Sequence, residues 1–245
     1  MANPDWTPLR NALRDCRAAN TMPTLWWRDD DAVAPTRALD QLCALTETFH
    51  LSVHLAIIPA LATDALAAYC VDAPLIPVVH GWAHTDHSAA HDKKNEFLTP
   101  RPDAKRDAAR GLTHMRSLFG QTLRPMFVPP WNRISAQVTT ALPDMGYTTL
   151  STFGPRGAAV PGLTRINTHV DPIHWKGTRS LVDTQTLIDD AAAHLRQRST
   201  GAADASEPFG LLTHHLVHDA AIWAFAETFL TEMLTGGATP WQMET

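Results

Sequence analysis

Pro74-Leu75-Ile76-Pro77-Val78-Val79 is a short apolar run, and it passes directly into His80-Gly81-Trp82-Ala83-His84-Thr85-Asp86-His87. The apolar part reads as a buried strand and the polar part as the loop that follows it. Two imidazoles four residues apart, just past a strand end, can turn toward one divalent cation. A third ligand must come from elsewhere. Leu25-Trp26-Trp27-Arg28-Asp29-Asp30-Asp31 offers one, because an apolar segment there ends in three carboxylates. Two histidines and one carboxylate around an open position is a recurrent plan for a metal that activates water.

Working outward, short apolar runs alternate with longer stretches of helical period. Candidate strands lie at 24–28, 51–58, 75–79, 126–129, 147–152, 164–169 and 209–213. Leu39, Leu42, Leu45 and Phe49 recur at helical spacing, as do Ala104, Ala108, Leu112, Met115 and Phe119. Further helices are marked by Leu187, Ile188, Ala191 and Leu195, and by Ile222, Ala226, Phe229 and Met233. Strands alternating with helices imply parallel βα units, and seven of them suit a barrel better than a short open sheet. The expectation is an α/β fold, a distorted (β/α)7-type barrel in one domain over 1–245, with its core at about 22–235.

The 245 residues are 44% hydrophobic, enough for one large core. A formal net charge of −5 without a basic tract speaks against nucleic acid as a partner. Cys16, Cys43 and Cys70 form no CxxC pair and read as buried thiols. The N-terminal stretch has no basic segment followed by an apolar one, and no apolar run is long enough to span a bilayer. A cytoplasmic protein acting on a small-molecule or carbohydrate substrate, without membrane contact, is expected; the oligomeric state is left open.

Polar clusters fall at or just after strand ends: Asp29–Asp31, His80–His87, Pro129–Asn132, Asp171–Trp175 and His214–His215. In βα barrels the loops at that face converge on the chemistry. An acidic triplet also serves as a solvated turn or helix cap. Here Trp26-Trp27 places it at the end of a buried element, and adjacent carboxylates on an extended segment point to opposite sides. One can bind metal while its neighbour acts as a base. His214 can serve as general acid with Asp171 orienting its ring. In Phe127-Val128-Pro129-Pro130-Trp131-Asn132-Arg133 the prolines stiffen a loop whose N–H near Trp131 can meet an oxyanion. Trp82, Pro130, Asn132 and Trp175 are candidate substrate walls. His87, His91, His215, His218 and Glu96 read as rim or loop residues.

In order, these segments resemble the motifs of the polysaccharide deacetylase (NodB-homology) family of carbohydrate esterases. Trp27-Arg28-Asp29-Asp30-Asp31 is similar to its Thr-Phe-Asp-Asp-Gly motif, and His80 to His84 matches its His-x-x-x-His. Val128-Pro129-Pro130-Trp131-Asn132 resembles its Arg-Pro-Pro-aromatic-Gly loop. Asp171 with Trp175, and Leu212-Thr213-His214, resemble its last two motifs. The resemblance implies a distorted barrel with a divalent metal, most often Zn2+, held by Asp30, His80 and His84. It further implies Asp29 as catalytic base, Trp131 N–H as oxyanion donor, and His214 as acid oriented by Asp171. The activity implied is removal of an acetyl or related acyl group from a sugar nitrogen. The alternatives are a metal-dependent amidase acting on a small cytosolic compound, and a non-catalytic carbohydrate-binding protein. Three departures matter: Asp31 replaces the glycine, Arg28 an aromatic residue, and Val128 the arginine that pairs with the base. Losing that arginine should raise the pKa of Asp29, unless Arg28 or Arg133 supplies the charge.

Overall fold

A computed structural model describes residues 3–243. Its core is a parallel sheet of seven strands with helices packed outside, a distorted (β/α)7 barrel. The strands are β1 (Thr24–Ala32), β2 (Val53–Ile57), β3 (Leu75–His80), β4 (Met126–Val128), β5 (Thr149–Leu150), β6 (Thr164–Arg165) and β7 (Phe209–Thr213). They lie in the order β6-β5-β4-β3-β2-β1-β7, so β1 joins the first half of the chain to the last strand. The ring closes irregularly. The segment after β6 pairs with the end of β5 through Thr168 and with β7 through Val170 opposite Leu211.

Side-chain alternation along β1 sorts its residues between two compartments. Trp26 points into the barrel, where it packs with Ala56, Val78, Met126, Val128 and Ile166. Leu25 and Trp27 point outward into the larger core between sheet and helices. That core takes the apolar faces of α2 (Arg37–Phe49), α4 (Ala104–Phe119), the short α5 (Ala136–Thr139), α6 (Thr184–Ser199) and α7 (Ala220–Thr235). Thr36, Asp183 and Asp219 cap the first turns of α2, α6 and α7. A short β8 (Thr239–Pro240) pairs with the start of β1. It carries Trp241 and Met243 against the barrel interior at the amino ends of the strands.

Strands β5 and β6 are shorter than the expected 147–152 and 164–169, and larger differences from the sequence expectation lie elsewhere. Helix α1 (Thr7–Ala18) was not anticipated, although Leu9, Ala12, Leu13 and Cys16 are buried at helical spacing and place the core well before residue 22. Helix α3 (Asp64–Asp72) was also missed. Most consequentially, β1 does not end at Arg28 but runs on to Ala32, through the acidic triplet. Strand continuation is possible because each buried carboxylate finds partners inside the protein. No helix among the described residues is long and apolar enough to cross a membrane.

Candidate active site

Because β1 continues, the three aspartates do three different things. Asp29 is fully buried on the outward row of β1. Its Oδ2 accepts from Thr213 Oγ1 at 2.6 Å and from the His215 N–H at 2.9 Å. Its Oδ1 lies 2.5 Å from His215 Nδ1. Burial alone would raise the Asp29 pKa, but the charge and hydrogen bond of His215 and the Thr213 hydroxyl outweigh it and hold the group below its ordinary value. The same pairing lifts His215 above its ordinary value against the effect of burial. The expected rise for Asp29 is therefore overturned. Its three contacts all go to the β7 end.

Asp30 returns to the inward row and meets Arg28, also fully buried, two residues before it. The pair is bidentate, with Arg28 Nε 2.8 Å from Oδ1 and Nη2 3.0 Å from Oδ2. Arg28 is itself held by Ser151 Oγ at 2.7 Å and Asn132 Oδ1 at 2.7 Å. Arg28, expected as a partner of Asp29, thus pairs with Asp30 instead. Arg133, the other candidate, donates instead to the carbonyl of Lys94.

Asp31 sits where the pairing of β1 with β2 is interrupted, between Asp29 and Ala32. Its φ is +74°, a left-handed conformation uncommon outside glycine. Such a bulge re-aims a side chain that strict alternation would send elsewhere. Asp31 Oδ1 lies 3.1 Å from His80 Nε2 and 3.3 Å from His84 Nε2. One ligand atom from each of Asp31, His80 and His84 falls within 4.8 Å of the others. The expectation that Asp30 joins the histidines is corrected by this geometry: the bulge brings the next carboxylate round to them, while Asp30 is engaged by Arg28.

His80 ends β3, opposite Val128 in register, and its Nδ1 lies 3.0 Å from the Val128 carbonyl. A proton on Nδ1 leaves the Nε2 lone pair facing the Asp31 carboxylate. Two acceptors at that separation need a positive charge between them, either a proton or a metal. Burial opposes charge on His80, yet Asp30 and Asp31 outweigh it and raise its pKa. With His84 completing the set, the donors suit a divalent ion. Of the eight non-glycine residues with positive φ among the described residues, four (Asp31, His84, Trp131 and Asn132) belong to this one site. Backbone strain of this kind concentrates where function fixes geometry.

The remaining residues divide. His214 follows β7, with its Nε2 4.0 Å from Asp30 Oδ2. Asp171 does not hydrogen-bond to it, contrary to expectation. Its oxygens accept from the Ile173 N–H at 3.0 Å and Trp175 Nε1 at 2.8 Å, and the Trp175 ring meets His214 edge-on at 4.7 Å. Asp171 therefore reaches the histidine through the tryptophan. Trp131 packs on His84 with ring centroids 4.2 Å apart. Trp175 is exposed beside His214, as a substrate wall would be. Asn132 is taken up by Arg28, and Pro130 packs against Gly81. Trp82 turns to α4, where the Arg110 guanidinium lies 4.0 Å over its ring and His114 meets it edge-on. It remains only partly buried there.

Sequence reasoning missed Ser151, His215 and Glu96. Ser151 and His215 carried no signal beyond their place at strand ends. Glu96 read as part of a solvated loop but is 1% exposed.

By sequence the chain matches no protein-family model and no curated protein. By structure it is similar to a family 4 carbohydrate esterase from Streptomyces lividans solved with acetate, at TM-score 0.55 and 13% identity over 91% of this chain and 93% of that one. A family 4 esterase from Streptococcus mutans gives TM-score 0.57 at 10% identity, over 94% of this chain and 89% of that one. A family 4 pseudoenzyme from Bacillus anthracis gives TM-score 0.55 at 12% identity, over 89% of this chain and 63% of that one. The fold of the chain is that of these esterases.

Proposed function

We propose that this chain is a divergent relative of the polysaccharide deacetylases and hydrolyses an acetyl or related acyl group from the nitrogen of a sugar or carbohydrate-like substrate. The observation that carries the reading is the adjacency of two complete units. Asp31, His80 and His84 form a three-donor group, and Asp30, clamped by Arg28, stands beside it with His214 4.0 Å away. Relative to the motif alignment, base and metal carboxylate each move one residue along β1.

Two imidazoles and one carboxylate with a remaining open position fit Zn2+ best. When bound, the metal supplies Lewis-acid polarisation of the acyl carbonyl. The protein's own groups do the rest. Arg28 fixes the Asp30 carboxylate from one side and leaves its other lone pairs to take the proton of the attacking water. His214 is placed to return a proton to the departing amine. The N–H of Trp131, on a loop held in left-handed backbone, serves the developing oxyanion. Trp175 walls the site next to His214.

The assignment is tested by comparing two neighbouring carboxylates. Asp31→Asn should lose stoichiometric zinc. Asp30→Asn should keep zinc but lower kcat for amine release from N-acetylated chito-oligosaccharides by about 10²- to 10⁴-fold. Unchanged zinc affinity in Asp31→Asn would overturn the assignment. Faster turnover of simple acetamides than of any N-acetylated sugar would move the substrate to small amides.

A further inference from the structure

The two metal-side histidines are positioned by different means, and only one is secured by the sheet. His80 lies within β3, paired with Val128 and bonded to its carbonyl. His84 lies beyond the strand on irregular backbone with φ +55°. Regular secondary structure does nothing to aim it. The two residues leading into it, Trp82 and Ala83, both donate their N–H groups to one side chain. Glu96 Oε1 accepts from Ala83 N at 2.8 Å, and Oε2 from Trp82 N at 3.2 Å.

Three further facts show that this carboxylate is built into the turn. Glu96 is 1% exposed, a burial that a charged loop residue tolerates only when hydrogen-bonded. Gly81 has φ +59°, and a Cβ there would collide with Glu96 Oε2 and the ring of Pro130. The segment around Glu96 is itself fixed. Buried Asn95 accepts the N–H groups of Leu98 and Thr99 through its side chain, and Phe97 bridges to Ile134 just past the Trp131 loop. Glu96 therefore ties the His84 turn to the loop that follows β4.

We infer that Glu96 is a positioning residue for the metal centre, orienting His84 by binding two successive backbone N–H groups as an anion in a backbone concavity. The inference rests on the metal reading above. Partners of this kind, one step removed from the ion, typically change metal affinity by about 10- to 100-fold when lost. The test is a zinc titration of the whole protein by competition with a chromophoric chelator, with the melting temperature of the metal-free protein measured in parallel. Glu96→Gln keeps the side-chain length and one acceptor. It should weaken zinc binding by about tenfold while the metal-free protein stays folded at the assay temperature, its melting temperature lowered only by the loss of one buried backbone partner. Glu96→Ala should weaken zinc binding further, by up to about 100-fold. Equal zinc affinity in wild type and Glu96→Gln would overturn the inference and leave the metal site standing. Should Glu96→Ala fail to fold, Glu96→Gln alone decides. Absence of stoichiometric zinc binding in the wild type would overturn both the inference and the metal reading.

Discussion

His54 makes the stability of this barrel depend on pH far from the active site. It is fully buried on β2, in register with Arg28, and its ring stacks on Trp241 and meets Trp26 edge-on. Nδ1 lies 3.2 Å from the Trp27 carbonyl and Nε2 accepts the Met243 N–H at 3.0 Å. Both nitrogens are thus satisfied only by the neutral ring. Burial drives its pKa down from 6.5 to about 4. The folded value is the lower one, so the unfolded chain binds the extra proton between those limits. The stabilisation is complete above pH 6.5, declines as pH falls, and is gone near pH 4. At about 1.4 kcal/mol per unit, the shift amounts to about 3 kcal/mol. His54→Gln can offer an N–H to Trp27 and an oxygen to Met243 without titrating. Urea unfolding at pH 7, 5.5 and 4 should show the wild type losing about 3 kcal/mol more than the variant over that range. His194 and His218 also sit near 4 and weaken both proteins alike, so the difference isolates His54. Parallel stability curves for the two proteins would refute the argument.

Two further outcomes follow from the buried charges. Arg28→Met leaves Asp30 buried without its partner and should cost about 3–5 kcal/mol in urea unfolding, because a stranded charge is worse than none; a loss under 1 kcal/mol would show that water reaches Asp30. Asp29→Asn removes the charge facing His215 and should cost about 1–3 kcal/mol of stability while zinc affinity is retained; a loss of zinc with no loss of stability would return Asp29 to the metal.

Much of this was legible in the sequence, and the failures share a cause. The alternation of apolar runs with helical spacing marked all seven barrel strands, and the polar clusters at their ends named His80, His84 and His214. What the pattern could not give was the register of the acidic triplet. Three consecutive aspartates offer two ways to align an Asp-Asp pair. The choice depends on a bulge at Asp31 and on Arg28 standing two residues before Asp30, both tertiary facts. The contact of Trp82 with α4 was equally hidden, because only the fold shows that one face of the His80–His84 turn meets Arg110 and His114. Glu96 was misjudged because charged residues in a polar loop are mostly solvated, and only its two backbone partners reveal the exception. Helix α1 was overlooked despite clear spacing, since it precedes the first strand and no βα alternation called for it.

The central position of β1 has a consequence for how the chain reaches its working state. Besides the short β8 at its start, its neighbours are β2, close in sequence, and β7, which begins only at Phe209. Contacts between segments so far apart form slowly, because a long loop must close before they repay its entropy. Asp30 belongs to the early strand and His214 follows the late one, so the two groups proposed to take and return the proton meet only across that seam. Until β7 docks, β1 presents an unpaired edge with buried carboxylates bared to solvent. On the proposed function, recovery of turnover during refolding should therefore follow the pairing of β7 with β1 rather than the formation of the helices.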